Sequence, residues 1–159
     1  MFNVRTLFTS LAIAGLAACA SQPAPVSITE TITRTPSLST LNKLISDAGL
    51  ADTLKGQGPF TVFAPSDEAF KAVPAKTMEE LAKDPARLKA VLTYHVVASK
   101  MMSADVKNMT AKSVNGAELA LSKAGDFVTV EDAAVQTTDI AAANGVVHVV
   151  DRVLMPPRR

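Results

Sequence analysis

Near the C-terminal end, Asn144-Gly145 is followed by a run from Val146 to Met155 that is apolar except at His148, Asp151 and Arg152. Its valines fall on both alternating faces, so a strand here has no side to give to solvent. Asn-Gly is the residue pair that best accepts positive φ, which places a tight turn before the strand. A chain organised around such a strand needs cover on both faces, and the rest of the sequence has to supply it.

The preceding half supplies helices. Leu38, Leu41, Leu44, Ile45 and Leu50 recur close to helical spacing, with Ser37 or Ser39 available as cap and Gly49 placed to end the helix. Gly56 and Gly58 break the chain before Pro59 to Ala64, which has the β-branched and aromatic content of a buried strand. Pro65 ends it, and Ser66 can cap a short helix through Phe70. Thr77 to Glu80 has the form of a capping box, and Asp84-Pro85 reads as N-cap and first helical residue. Leu88, Val91 and Leu92 then form one apolar stripe leading into Tyr94-His95-Val96-Val97. Later segments read as strands: Lys112 to Val114 and Glu118 to Leu121 around Asn115-Gly116, then Phe127 to Glu131, and more weakly Ala134 to Ile140. Helices early and strands late within one domain predict an α+β architecture.

The N-terminus carries a different kind of information. Arg5 precedes an apolar run from Leu7 to Ala18, the order of a secretory signal and too short to span a bilayer as a helix. Leu16-Ala17-Ala18-Cys19 resembles the lipobox of bacterial lipoproteins, which implies cleavage of a signal peptide at 1–18 and lipid, palmitate included, on Cys19. The alternative is an ordinary signal cut near Ala18-Cys19-Ala20. Cys19 is the only cysteine, so no internal disulfide can form. Ala20 after the cysteine fits sorting to the outer membrane, with the domain on its periplasmic face or at the cell surface. Residues 19–36, rich in Ser, Thr and Pro, read as the lipidated cysteine and a flexible tether. Residues 37–156 are then one domain and 157–159 a short tail. Of the 16 Lys and Arg residues only Arg5 precedes Cys19, which leaves 15 against 15 acidic side chains and argues against a nucleic-acid partner.

Three segments, in this order, resemble the fasciclin-like (beta-Ig-H3/fasciclin) domain family: Thr61 to Phe70, Leu92 to Val97, and Asn144 to Pro156. The resemblance covers essentially all of Ser37 to Pro156. It implies a wedge of two small β-sheets with helices packed at one side, and an extracellular adhesion or binding module rather than an enzyme. In animal relatives the segment around the pair matching Tyr94-His95 is implicated in integrin-mediated adhesion.

Most of the distinctive residues have structural work available. In the first block, Thr61, Phe63 and Pro65 belong to a strand and its stop, while Ser66, Asp67 and Phe70 start a helix through capping and the helix dipole. In the third, Asn144 and Gly145 make the turn, His148 sits among core valines, and Asp151 can pair with Arg152 or lie at an edge. His95 and His148 are the only histidines, too few to hold zinc without carboxylates; no metal or cofactor is expected. Tyr94 and His95, together with Met101 and Met102, are the candidate partner contacts, since methionine adapts to varied surfaces. Core packing explains the same four residues equally simply. Two rivals to a binding module remain. A small-molecule or lipid carrier requires an apolar cavity of at least ~300 Å³ between helices and sheets; a hydrolase requires Ser66 within hydrogen-bond reach of a histidine. No G-x-S-x-G elbow is present to favour the latter.

Overall fold

The computed structural model describes residues 26–157. The signal segment 1–18, Cys19, residues 20–25 of the expected tether and tail residues 158–159 lie outside the described residues.

Two strands anchor the structure. β1 (Phe60–Pro65) and β7 (Gly145–Val150) pair in parallel, from Phe60 opposite Gly145 to Pro65 opposite Val150. All six residues of β7 are buried, as a strand with valines on both faces requires. β2 (Val96–Val97) flanks β1, and β6 (Ala133–Ala142) flanks β7. β3 (Met109–Lys112), β4 (Glu118–Ala124) and β5 (Phe127–Val130) continue outward, giving the order β2-β1-β7-β6-β5-β4-β3.

The two small sheets share β6, which changes register between Val135 and Thr137 and again before Ile140. Asp139 takes a positive φ of 58° within this irregular stretch. The bend brings the far edges together, where Val97 bridges Ser113 and the Val114 N–H donates to the Val96 carbonyl at 2.7 Å. Phe63, Leu119, Leu121, Val130 and Val150 fill the space inside.

Helices cover the other face of β1 and β7. α2 (Ser39–Asp47), α3 (Ala51–Leu54) and α6 (Pro85–Tyr94) place Leu41, Ile45, Leu54, Leu88 and Val91 in one cluster with Val62, Ala64, Val147 and Val149. Burying a side chain of this size removes about 1.5–3 kcal/mol worth of apolar surface from water. Capping matches the sequence at two sites: Ser66 Oγ accepts from Ala69 N–H at the start of α4 (Asp67–Lys71), and Asp84 Oδ1 accepts from Ala86 and Arg87 before Pro85.

Several expectations are corrected. Residues 26–36 are not tether: Ser27 caps α1 (Ile28–Arg34), whose Ile28 and Ile32 are fully buried in the helix-side core. A helix this short has little stability alone; burial of two isoleucines one turn apart holds it in place. The helix expected from Leu38 is shorter, α2 at Ser39–Asp47 after a 3₁₀ turn (Pro36–Leu38), with neither Ser37 nor Ser39 as its cap; Gly49, at a φ of +65°, follows its end as expected, and Leu50 precedes the separate α3. Thr77 does not open a helix, because α5 (Ala75–Lys83) starts after Pro74 and Thr77 lies within its first turn. β7 stops at Val150 rather than running to Met155, and Asp151 to Pro157 is irregular.

Candidate functional site

The residues singled out in sequence converge on the middle of the fold. Thr61 is completely buried; its hydroxyl donates to the Ser99 carbonyl at 2.6 Å and accepts the Met101 N–H at 2.9 Å. The segment after β2 is thereby stapled to β1. Phe63, also fully buried, stacks on the His148 ring with centroids 5.6 Å apart. Pro65 ends β1 and the Ser66 N–H donates to the Val150 carbonyl, so strand pairing continues directly into the cap of α4. Phe70 packs into the helix-side core.

Asp67 does more than favour its own helix. Its carboxylate accepts from the Ser39 hydroxyl at 2.7 Å and the Thr40 N–H at 2.8 Å, which caps α2 from a distant part of the chain. Burial pushes this carboxyl up, but the hydrogen bonds from Ser39 and Thr40 outweigh it and hold the group below the usual carboxylate range.

The third block is equally structural. Asn144 accepts the Ile28 N–H at 2.9 Å and donates to the Leu54 and Gly56 carbonyls at 2.6 and 3.0 Å. One side chain thus ties α1 and α3 to the turn before β7. Gly145 lies so close to β1 that a methyl group there would run into the Phe60 carbonyl. Asp151 exchanges hydrogen bonds with Ala134, accepting its N–H at 2.8 Å and donating its own N–H to the Ala134 carbonyl at 3.0 Å. It therefore fastens the end of β7 to β6, and no Asp151–Arg152 ion pair forms.

The two histidines occupy opposite tautomers. His95 is 2% exposed; Nε2 faces the Leu154 N–H at 2.9 Å and so must accept, while Nδ1 faces the Val91 carbonyl at 2.8 Å and so must donate. Burial pushes its pKa down to about 4, the Val91 bond opposing this in part. His148 accepts the Asp139 N–H on Nδ1 at 3.2 Å and donates from Nε2 to the Met101 carbonyl at 2.9 Å. Each ring has both nitrogens engaged, and Ser66 uses its hydroxyl as a cap, so the Ser66–histidine pairing a hydrolase requires is not formed.

Three of the four candidate contact residues are not surface groups. Tyr94 is 3% exposed and its hydroxyl donates to the Glu118 carbonyl at 3.3 Å; burial, with the nearby Glu131 carboxylate adding to it, raises the phenol above its ordinary pKa. His95 and Met101 are buried as well, and Met102 is half-buried. The apolar surroundings that made Tyr94-His95 and the methionines conspicuous are those of a core. Asp139, Ser103 and Lys123 form a network that sequence reasoning missed. Ser103 donates to Asp139 through both its N–H and its hydroxyl, and Lys123 Nζ donates to the Ser103 carbonyl at 2.7 Å. Burial tends to raise the Asp139 carboxyl, yet the hydrogen bonds from the Ser103 hydroxyl and N–H outweigh it and bring it below its ordinary value. Nothing in the local sequence pairs residues this far apart.

The space between the helices and the β1–β2 face amounts to about 20 Å³, room on the order of one water and far below the ~300 Å³ that an enclosed ligand site requires. Larger hollows are open to solvent. One, of about 760 Å³, runs between α4–α6 and the segment after β7.

β2, β1 and β7 are adjacent strands, and each of the three segments that carried the family resemblance supplies one of them. A family model of the fasciclin domain matches residues 36–156. The chain belongs to the fasciclin domain family. This fasciclin-domain chain is 42% identical over 118 residues to the uncharacterized protein sll1735 of Synechocystis, spanning 74% of the chain and 88% of that relative. It is 39% identical over 127 residues to the cell surface glycolipoprotein MPB83 of Mycobacterium bovis, covering 77% of the chain but 57% of the glycolipoprotein. Among solved structures, the FAS1 domain pair of the insect cell adhesion molecule Fasciclin I matches 82% of the chain with a TM-score of 0.67 and 16% identity. The match spans 51% of that pair and establishes the shared fold.

Proposed function

We propose that the protein is a lipid-anchored, extracytoplasmic fasciclin module that acts by binding a protein or cell-envelope partner, in cell-surface adhesion or a related attachment, without catalysis. The fasciclin-domain match over residues 36–156 carries this reading. The lipobox-like sequence ending at Cys19 supports the anchor, and the likeness to a protein named as a cell surface glycolipoprotein supports the location. A non-catalytic role is supported by the engagement of both histidines and of Ser66 in structural hydrogen bonds. A carrier that encloses its ligand between helices and sheet is disfavoured by the filled interior.

The test is fractionation of cells producing the native chain or Cys19→Ser, with mass spectrometry of the mature N-terminus. The native chain is expected in the membrane fraction with acyl groups on Cys19, and the variant in the precursor or soluble fraction. Membrane attachment unchanged by the substitution refutes the anchor. Adhesion of cells displaying the native chain, compared with cells lacking it, tests the binding role.

A further inference from the structure

The open groove between α4–α6 and the segment after β7 is not used by anything described above. Its walls are mainly apolar, with Val73 and Pro74 on one side and Met155 and Pro156 on the other. Among the described residues lining it, the only charged side chains are Arg87 and Arg152. Arg87 pairs with Glu80 at 3.2 Å, which lies outside the lining; Arg152 is exposed and forms no ion pair among the described residues. An apolar trough carrying two guanidinium groups suits a ligand with apolar side chains and carboxylates.

Two features separate a peptide from an acyl chain. The groove is open to solvent and not an enclosed cavity, so a bound acyl chain would keep part of its surface in water, whereas sites for apolar small molecules enclose most of theirs. The wall itself is irregular backbone. Leu154 N–H is taken by His95, but Met155 N–H and the Val153 and Met155 carbonyls bond to no other described residue. Unpaired main-chain groups beside side-chain pockets are what an extended peptide uses when it docks alongside a strand-like edge.

We propose that this groove binds an extended acidic peptide segment of a partner protein, its carboxylates on Arg87 and Arg152 and its apolar side chains against Val73 and Met155. The inference rests on the binding-module reading and specifies the surface and the chemistry of the partner. Glu80 pairs with Arg87, whereas Arg152 borders an adjoining hollow with Glu131 and Asp132 but forms an ion pair with neither, so among the described residues Arg152 is the guanidinium left free for a ligand carboxylate.

The experiment is an NMR titration of the isotope-labelled, unlipidated mature chain with three probes: the acetylated, amidated peptide Leu-Glu-Val-Glu-Leu, its Leu-Gln-Val-Gln-Leu counterpart, and sodium laurate. The acidic peptide is expected to shift the amides of Val73, Arg87, Val153 and Met155 in a saturable way. The glutamine peptide should bind at least tenfold more weakly, and Arg152→Glu should weaken the acidic peptide by at least tenfold while leaving the remaining spectrum unchanged. Equal binding of the two peptides, shifts confined to another surface, no shift at millimolar peptide, or tighter binding of laurate at these residues would each overturn the proposal. Cell adhesion is measured in parallel. Adhesion preserved without peptide binding removes the groove but leaves the binding module, whereas loss of adhesion by the native chain itself counts against that module.

Discussion

Asn144→Ala tests whether one turn residue joins the N-terminal helix to the sheet. The substitution removes three hydrogen bonds, to the Ile28 N–H and to the Leu54 and Gly56 carbonyls. At roughly 1 kcal/mol net per bond, reduced because Asn144 is only half-buried and water can replace part of the loss, the cost is about 2–3 kcal/mol. For a domain of this size that corresponds to a melting temperature lower by roughly 10 °C. Urea and thermal unfolding followed by circular dichroism measure the total. Hydrogen exchange measured residue by residue locates it: α1 amides should approach free-peptide rates while β7 amides retain their ranking among the slowest. Asn144→Asp keeps the acceptor for Ile28 but directs a carboxylate at two carbonyl oxygens, so it should cost at least as much as alanine. A loss below about 0.5 kcal/mol for Asn144→Ala, or loss of protection spread evenly over the domain, would refute the assignment of Asn144 as the link.

Further outcomes follow from three titratable groups and two glycines. The folded pKa of His95, about 4, lies below the unfolded value near 6.5, so its contribution to stability is fully present above ~6.5 and is lost as pH falls toward 4. That loss is on the order of 3 kcal/mol, measurable as urea midpoints against pH, and His95→Gln should flatten this window; an unchanged slope there would count against the neutral, hydrogen-bonded imidazole. Asp67 and Asp139, held below the ordinary value of 3.8, contribute stability present above that value and lost only at lower pH, so the acid limb has a separate second part. Gly145→Ala, which sets a methyl group against the Phe60 carbonyl, should cost more than about 3 kcal/mol or prevent folding. Gly116→Ala, with a φ of +87° but no atom within 4 Å of the added carbon, should cost about 1 kcal/mol; similar urea midpoints for the two variants would mean that close approach at Gly145 is not limiting.

What was legible in the sequence was mostly local. Ser66, Asp84-Pro85 and Asn115-Gly116 each satisfy backbone requirements within a few residues, and each does so in the structure. The same local signal also misled. Thr77 to Glu80 has the capping-box pattern without serving as one, whereas Ser27 to Glu30 has it and does begin a helix, with Ser27 Oγ accepting the Glu30 N–H. The difference is tertiary: α1 persists because Ile28 and Ile32 find the helix-side core, information absent from a short polar segment. Tyr94, His95 and Met101 illustrate the converse. Their apolar neighbours were visible, but only the fold shows that the polar atoms turn inward to Glu118, Leu154 and Thr61. The Arg87–Arg152 groove was invisible because its two charged residues come from α6 and from the segment beyond β7.

Because β7 lies between β1 and β6, the last strand to be made is the one that unites the others. An emerging chain without it has β1 and β2 facing a bare edge and the β3–β6 meander lacking its inner neighbour. The parallel β1–β7 pairing closes across most of the domain's sequence, a contact that carries a large entropic cost until the whole segment is available. Completion of the fold is therefore coupled to the arrival of β7: until that segment is available, β1 and β6 lack their common neighbour, and the domain assembles around a keystone that comes after all the other described strands.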